Sequence, residues 1–299
     1  MLSRWVPAGL LARLAKYAWA KGRHDLVLRM LGDAPELLPA KARGTLARSL
    51  AETARFGELD ALVAAIAAQS SNERLLAIAR ALEKAADCGW ETQSALRLIQ
   101  YAEPAPDKDA GHGMSIPYHA ATVGALEFPG LRDPSARLRA LPIDFGGKSV
   151  LDLGCCFGGF LFPLRDEIRW GVGVDNNPRY INVCQKLRAV EKAWNLDFYF
   201  HDIEKQPLGL ARHLMPEPTV DVALLLRVFA TGSLSATLTE LSGFAQTVVF
   251  EPVSSHWAAE QDLKTLRTLF RSVEVIETDI PEPLDGGRHT LYCATDPVR

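Results

Sequence analysis

The alternation of apolar and polar positions divides the chain into two parts. Residues 10–99 are rich in Ala, Leu, Arg and Glu at helical spacing and contain only two prolines, which predicts helices throughout. Beyond them, short apolar runs alternate with helical patterns, as in an α/β fold with a parallel sheet. The segment 103–117 holds three prolines and two glycines without periodicity, which indicates a linker. We therefore expect an all-α domain at 1–102 and an α/β domain at 118–299.

The helical part contains a repeat. Gly22, Gly57 and Gly89 are separated by 35 and 32 residues, and each is followed nine residues later by an aliphatic side chain. This period resembles that of tetratricopeptide-type helical hairpins and predicts a stack of about three units. We expect the stack to brace the α/β domain or to pair two subunits in a homodimer. A groove for a peptide or a protein partner is the alternative.

The stretch SVLDLGCCFGG at 149–159 is the first candidate for a ligand-binding site. An apolar run that contains Asp152 is followed by a glycine-rich turn, which predicts a buried strand, a ligand-binding bend and a helix start. In the dinucleotide fingerprint G-x-G-x-x-G, Cys156 would occupy the second glycine position, where its side chain would meet a pyrophosphate. Asp152 favours a cationic ligand group instead.

This stretch resembles motif I of the class I S-adenosylmethionine-dependent methyltransferases, in which Asp-x-Gly-Cys is a frequent variant. The resemblance implies that Asp152, Gly154, Cys155 and Gly158 contact S-adenosylmethionine. It also implies a Rossmann-like seven-stranded methyltransferase sheet with an antiparallel last strand, preceded here by the helical-hairpin domain.

Two further apolar runs each end in an acid. Asp175 closes WGVGVD and stands 21 residues after Gly154, near the roughly 20-residue spacing at which an acid meets ribose hydroxyls. Asn176 beside it belongs to the same expected site. Asp202 closes DFYFHD, and the resemblance implies that it reads the adenine amino edge together with the backbone N–H of Ile203. These residues complete the expected cofactor site.

The remaining runs fit the same sheet. Residues 220–226 and 247–251 predict two more buried strands, and 273–280 with 289–295 predict a closing hairpin-like pair. The segment from Tyr118 to the motif I strand is similar to the lead-in of the tRNA wobble-uridine carboxymethyltransferases. That similarity implies that Tyr118, His119 and Arg132 help to cover the cofactor, although surface positions on a long connection explain them equally well.

Three residues are candidates for binding or deprotonating the methyl acceptor. Methyl transfer mainly requires alignment of acceptor and methyl carbon and exclusion of water, and a hydroxyl or amine acceptor also loses a proton. His256 is the first candidate base and His119 the second. Arg227, at the end of the fourth strand, either holds an anionic acceptor or caps that strand.

The charge and the cysteine content limit the classes of binding partner and the compartment that the sequence predicts. Residues 1–102 carry 14 basic and 10 acidic residues, and residues 103–299 carry 19 and 26, so the α/β part has a net charge of −7 and repels nucleic acid. The five cysteines lack metal-ligand spacing, and we expect them to be reduced and no metal to be bound. Without a secretory leader or a long apolar run, we expect a cytoplasmic protein with no membrane partner.

These observations support one leading hypothesis and three rivals. The leading hypothesis is an S-adenosylmethionine-dependent methyltransferase that methylates an oxygen of a small molecule or a glycan. A tRNA-modifying methyltransferase is suggested by the lead-in and disfavoured by charge. A scaffold or binding protein with a vestigial methyltransferase fold is the rival from another class. A nicotinamide dehydrogenase is disfavoured by Cys156.

Overall fold

A computed structural model describes residues 6–32, 35–102, 116–228, 232–253, 258–281 and 288–298. Contacts between Cα atoms divide the chain into two compact units, Met1–Leu131 and Arg132–Arg299. Within the described ranges, no helix is both long enough and apolar enough to cross a bilayer.

The first unit is built mainly from helices. They are α1 Ala8–Ala20, α2 His24–Leu31, α3 Ala40–Glu52, α4 Phe56–Ala67, α5 Glu73–Ala85 and α6 Trp90–Ala102, with a 3₁₀ turn at Pro35–Leu37. The first three pack on one another, α4 packs on α3 and α5, and α6 packs on α3. Asn72 caps α5 by accepting a hydrogen bond from the Leu75 N–H at 3.0 Å. The predicted all-α class is confirmed, and the resemblance to tetratricopeptide hairpins stays a prediction.

A short hairpin closes the first unit. Strands β1 Ala121–Val123 and β2 Leu126–Phe128 pair antiparallel around Gly124, whose φ is +61°. The hairpin contacts α5 and α6. These contacts are the reason why the first unit extends to Leu131. The predicted start of the α/β domain at residue 118 stays a prediction.

The second unit is organised around one seven-stranded sheet. Its strands are β3 Ser149–Leu153, β4 Trp170–Asp175, β5 Leu196–Phe200, β6 Val220–Leu226, β7 Ala245–Glu251, β8 Phe270–Pro281 and β9 Arg288–Pro297. The order across the sheet is β5-β4-β3-β6-β7-β9-β8. The first five strands in this order are parallel, and β9 runs antiparallel between β7 and β8. The predicted sheet with its antiparallel last strand is confirmed.

Helices cover the sheet. They are α7 Pro134–Arg139, α8 Leu161–Leu164, α9 Pro178–Val190, α10 Leu208–Arg212, α11 Ser235–Ser242 and α12 Ala259–Leu269. One hydrophobic core lies between the sheet and α10, α11 and α12. Asn177 starts α9 with Pro178 at the first helical position, and the Asn177 side chain accepts from the Arg179 N–H at 3.0 Å.

The order in which successive strands are added across the sheet changes direction between β3 and β6. From β3 the strands proceed outward to β4 and β5 on one side, and β6 and β7 then fill the other side. At the base of this pair, Asp221 accepts from the Ser149 N–H at 2.8 Å and from the Ser149 hydroxyl at 2.7 Å. Ligands of open α/β sheets bind beyond the carboxyl ends of strands at such a switch point. The ends of β3 and β6 therefore mark the position of the site.

Candidate functional site

The turn after β3 is bent by backbone conformations that favour glycine. Gly154 has a φ of +74° and donates its N–H to the Val174 carbonyl at 2.8 Å. A Cβ at this position would lie 2.9 Å from Cγ2 of Val228, beyond the end of β6. Gly158 has a φ of +80°, and a Cβ there would lie 2.6 Å from the Phe162 ring. Both glycines are thus required for conformation and for close packing.

The cysteines of this turn point into the protein. Cys155 is fully buried, and a Cβ on Gly173 would lie 2.9 Å from its sulfur. The Cys184 thiol donates to the Cys156 carbonyl at 3.4 Å. Burial raises the pKa of the Cys155 and Cys184 thiols, so both stay protonated and unreactive. Cys156 has a φ of +52°, which is unusual for a residue with a side chain.

Asp175 joins the turns that follow β3 and β4. Its carboxylate accepts from the Cys156 N–H at 2.9 Å and from the Asn177 N–H at 2.8 Å, one bond on each oxygen. Burial raises its pKa, and the backbone N–H donors oppose this effect. Each oxygen retains acceptor capacity for another donor. The carboxylate is therefore held in one orientation before any ligand arrives.

Asp152 is a buried acid without full compensation. It is 1% exposed, and its Oδ2 accepts no hydrogen bond from the described part of the chain. Its pKa is raised to about 8, mainly by burial and in addition by the nearby negative Asp175, and Arg137 opposes both effects. Two acids held close in a buried environment repel each other, and a cationic ligand group would relieve this repulsion.

The end of β5 presents the third predicted acid. Asp202 is buried and accepts from the Glu204 N–H at 3.1 Å and from Nζ of Lys205 at 2.8 Å. The Lys205 ammonium keeps the pKa of this carboxyl low, so it is ionised. Ile203, the neighbouring residue, packs partly buried against the core. The two residues lie shortly after the end of β5, at the same edge of the sheet as Asp175.

The ends of β6 and β7 carry a different arrangement. Arg227 follows β6 with a φ of +52° and donates its N–H to the Glu251 carbonyl at 2.9 Å. The Glu251 side chain, which ends β7, forms an ion pair with Arg137, and both side chains are 3% exposed. The Arg137 guanidinium also lies 5.4 Å from the centre of the Phe160 ring.

Sequence reasoning did not assign Arg137 to the site. Asp133 starts α7 by accepting from the Ser135 N–H at 2.9 Å, with Pro134 at the first helical position, and the short helix then carries Arg137 to Glu251. The Asp-Pro start of a helix is visible in the sequence. The burial of its arginine depends on a strand end far along the chain and is not visible.

The structure describes only one of the two candidate bases. His256 lies outside the described residues. His119 belongs to the first unit, is 3% exposed and has its ring centre 4.8 Å from that of Tyr118. Among the described residues, no group of three or more His, Cys, Asp or Glu side chains is placed to hold a metal ion. The catalytic roles of His256, His119 and Arg227 stay predictions.

The sheet order and the acids in β3, at the end of β4 and after β5 define a class I methyltransferase fold. The sequence model of the family described as "Methyltransferase domain" matches residues 144–264. This segment is therefore a methyltransferase domain, and S-adenosylmethionine is the cofactor of its class. No protein of curated function matches the sequence.

Solved structures with a similar fold share little sequence. WbdD in complex with the kinase inhibitor LY294002 is 22% identical, with a TM-score of 0.48 over 60% of this chain and 45% of that chain. The N-terminal domain of EvdMO1 with SAH bound is 13% identical, with a TM-score of 0.48 over 71% of this chain and 100% of that one. The chain thus spans less than half of the WbdD length. Similarity at this level does not extend to activity or substrate.

The residues of the site fit the cofactor of the class. The buried Asp152 oxygen, which accepts no hydrogen bond from the described residues, suits a cationic amino group. The two Asp175 oxygens, each with remaining acceptor capacity, suit a pair of vicinal hydroxyls. These two acids would hold the amino acid and ribose parts of S-adenosylmethionine. Asp202 and the Ile203 N–H would hold the adenine.

Proposed function

We propose that this protein transfers the methyl group of S-adenosylmethionine to a hydroxyl oxygen of a small molecule or a glycan. The observation that carries the proposal is the pair of buried acids near the Gly154 turn, Asp152 in β3 just before the turn and Asp175 at the end of the neighbouring β4. Without a cationic ligand the pair is electrostatically unfavourable, because burial and mutual repulsion both act against ionisation. A site built in this way is expected to bind a cation.

The roles of the chain in catalysis are binding, alignment and exclusion of water. When bound, S-adenosylmethionine supplies a methyl group on a sulfonium sulfur, and this methyl is open to direct displacement by an acceptor. The chain therefore needs neither a covalent nucleophile nor a bound metal for the transfer. The backbone N–H groups that hydrogen-bond to Asp175 pre-organise the ribose position. Asp152 compensates the positive charge of the amino group.

The acceptor is proposed to approach from the ends of β6 and β7. As its oxygen bonds to the methyl carbon, the sulfur–carbon bond breaks and the hydroxyl proton passes to a base. His256, which follows β7, remains our first candidate for this base and His119 the second. Arg227 at the end of β6 is proposed to hold an anionic group of the acceptor.

Charge supports a small or saccharide acceptor over nucleic acid. The α/β part, residues 103–299, carries a net charge of −7, which opposes the approach of a polyanion at physiological salt. A tRNA substrate would require a basic surface that outweighs this charge.

The proposal is tested with purified protein and S-adenosylmethionine carrying an isotopic methyl group. Acceptors are tested in matched pairs, each a methyl glycoside with a hydroxyl and its analogue with an amine at the same position. We expect label on the hydroxyl compound of at least one pair, detected by mass spectrometry, and release of S-adenosylhomocysteine in equal amount. The His256→Ala variant should bind S-adenosylhomocysteine like the wild type and turn over more slowly.

Three results would count against the proposal. Label only on amines would exclude O-methylation. Label on tRNA, with salt-dependent tRNA binding, would favour the nucleic acid substrate. Binding of S-adenosylhomocysteine without transfer to any acceptor in the panel would favour a scaffold protein that retains the cofactor fold.

A further inference from the structure

The first helix exposes an apolar surface beside its buried side. Leu11, Ala15 and Ala18 of α1 are at most 4% exposed and face the helical core. Leu10, Leu14 and Tyr17 are exposed by 48%, 47% and 66%. Positions separated by four and three residues lie on the same face of a helix, so these three side chains form one continuous surface, here called the α1 stripe.

The charged residues of α1 beside the α1 stripe are all basic. Arg13, Lys16 and Lys21 are exposed on or directly after α1, and the Lys21 ammonium lies 5.9 Å from the centre of the Tyr17 ring. Residues 1–24 contain no Asp or Glu. An amphipathic helix with bulky apolar side chains and a basic border is typical of binding to an anionic membrane surface.

The charge of this surface discriminates between its possible occupants. If α1 packed against α1 of a second copy about a twofold axis, the two basic borders would face each other and repel. A bilayer with acidic phospholipids offers apolar chains to the stripe and phosphates to the border at the same interface. Tyrosine beside leucine also suits the boundary between headgroups and acyl chains.

We propose that the α1 stripe and its basic border attach the helical unit to the surface of a membrane that contains anionic phospholipids. Helix α1 has 13 residues and lies with its other side in the protein core, so it rests in the interface and does not span the bilayer. This differs from the expectation of no membrane partner that the sequence composition gave. The proposal is independent of the methyl transfer reaction.

The test is co-sedimentation of the full chain with phosphatidylcholine vesicles, with and without phosphatidylglycerol. We expect binding to the mixed vesicles and at least tenfold weaker binding to the neutral ones. Raising the salt from about 50 mM to about 500 mM should weaken binding to the mixed vesicles at least tenfold, because the added ions screen the attraction.

Two sets of substitutions separate the apolar and the charged contributions. The triple variant Leu10→Gln, Leu14→Gln, Tyr17→Gln removes the stripe with a residue that favours helices and should abolish binding. Its control is Leu37→Gln, because Leu37 is 81% exposed in a 3₁₀ turn outside α1. This control should bind like the wild type.

The charge variant is Arg13→Gln, Lys16→Gln, Lys21→Gln, which should remove the preference for anionic vesicles. Its matched control removes three exposed basic residues of the same unit from other helices, Lys41→Gln, Arg74→Gln, Arg80→Gln. Circular dichroism confirms the helix content of every variant. Equal loss in the variant and its control would show nonspecific charge attraction and overturn the proposal.

Two other outcomes also overturn it. One is the absence of wild-type binding to anionic vesicles at low salt. The other is a wild-type dimer, detected by light scattering, that becomes a monomer in the stripe variant, because a second copy would then occupy the α1 stripe.

Discussion

The candidate site has two halves, one at β3 and β4 and one at the ends of β6 and β7, and they stabilise their acidic side chains in different ways. At the ends of β3 and β4, Asp175 is held by backbone N–H groups of two nearby turns, and Asp152 is left with an oxygen that accepts no hydrogen bond from the described residues. At the end of β7, Glu251 is neutralised by Arg137 from a helix that precedes the sheet. The first half is poised to gain from a cation, and the second half already contains one.

This difference indicates which half binds which ligand. A buried acid without full compensation gains most from a positively charged ligand, as S-adenosylmethionine is. A buried ion pair gains little from a further charge, but it fixes the positions of the strand end and the short helix around it. We infer that the first half is built for cofactor binding and the second for shaping acceptor access.

The largest expected effect is at Asp175. Replacing it by Ala removes an acceptor for two ribose hydroxyls, and each such charge-assisted bond contributes about 1.5–3 kcal/mol. We expect the affinity for S-adenosylhomocysteine to fall by a factor on the order of 10² to 10⁴, measured by calorimetry.

The control for this variant is Asp166→Ala, because Asp166 is 85% exposed in the same unit. It should bind like the wild type. Thermal unfolding of Asp175→Ala must also be recorded, since the variant leaves the Cys156 and Asn177 N–H groups without their acceptor. A folded variant with unchanged affinity would contradict the ribose role.

The next effect concerns the ion pair of the acceptor half. Arg137→Met leaves Glu251 buried without its counter-charge, which costs about 3–5 kcal/mol of unfolding free energy in comparable pairs. The double variant Arg137→Met, Glu251→Leu should recover most of this loss, because no buried charge remains. Urea unfolding of both single variants and the double variant measures the coupling. Additive losses would show that the two side chains do not depend on each other.

A smaller effect is expected from pH. Because the pKa of Asp152 is about 8 without ligand, most of this carboxyl is protonated at pH 6.5, and only its ionised form attracts a cationic amino group. As the pH is increased towards 8, the affinity for S-adenosylhomocysteine should therefore rise by up to about tenfold for each pH unit. Calorimetry in buffers of different ionisation enthalpy should detect release of a proton on binding. The Asp152→Asn variant should lose this pH dependence, and a slope retained in it would assign the effect to another group.

The smallest effect concerns backbone conformation at the end of β6. Arg227 has a φ of +52°, where a side chain costs roughly 1–2 kcal/mol relative to glycine. Arg227→Gly and Arg227→Ala both remove the guanidinium, so the difference between them isolates the backbone. We expect the Gly variant to be more stable by about 1 kcal/mol in urea unfolding. Equal stability would show that the left-handed conformation at this position is not strained.

The fold and the cofactor half could be predicted because their signals are local. The apolar runs of β3 and β4, the glycine turn and the Asn177-Pro178 helix start are all set by residues within a few positions of one another. The Arg137–Glu251 pair could not be predicted, because it depends on which strand end meets α7 in three dimensions. The extension of the first unit to Leu131 also depends on tertiary contacts, those of the β1–β2 hairpin.

We propose that the Gly154 turn, with the buried acids Asp152 and Asp175, binds S-adenosylmethionine rather than a dinucleotide. It is tested most directly by calorimetric titration of the wild-type protein with S-adenosylhomocysteine and with NAD in parallel. We expect saturable one-to-one binding of S-adenosylhomocysteine and no detectable binding of NAD. Binding of NAD alone, or of neither compound, would contradict it.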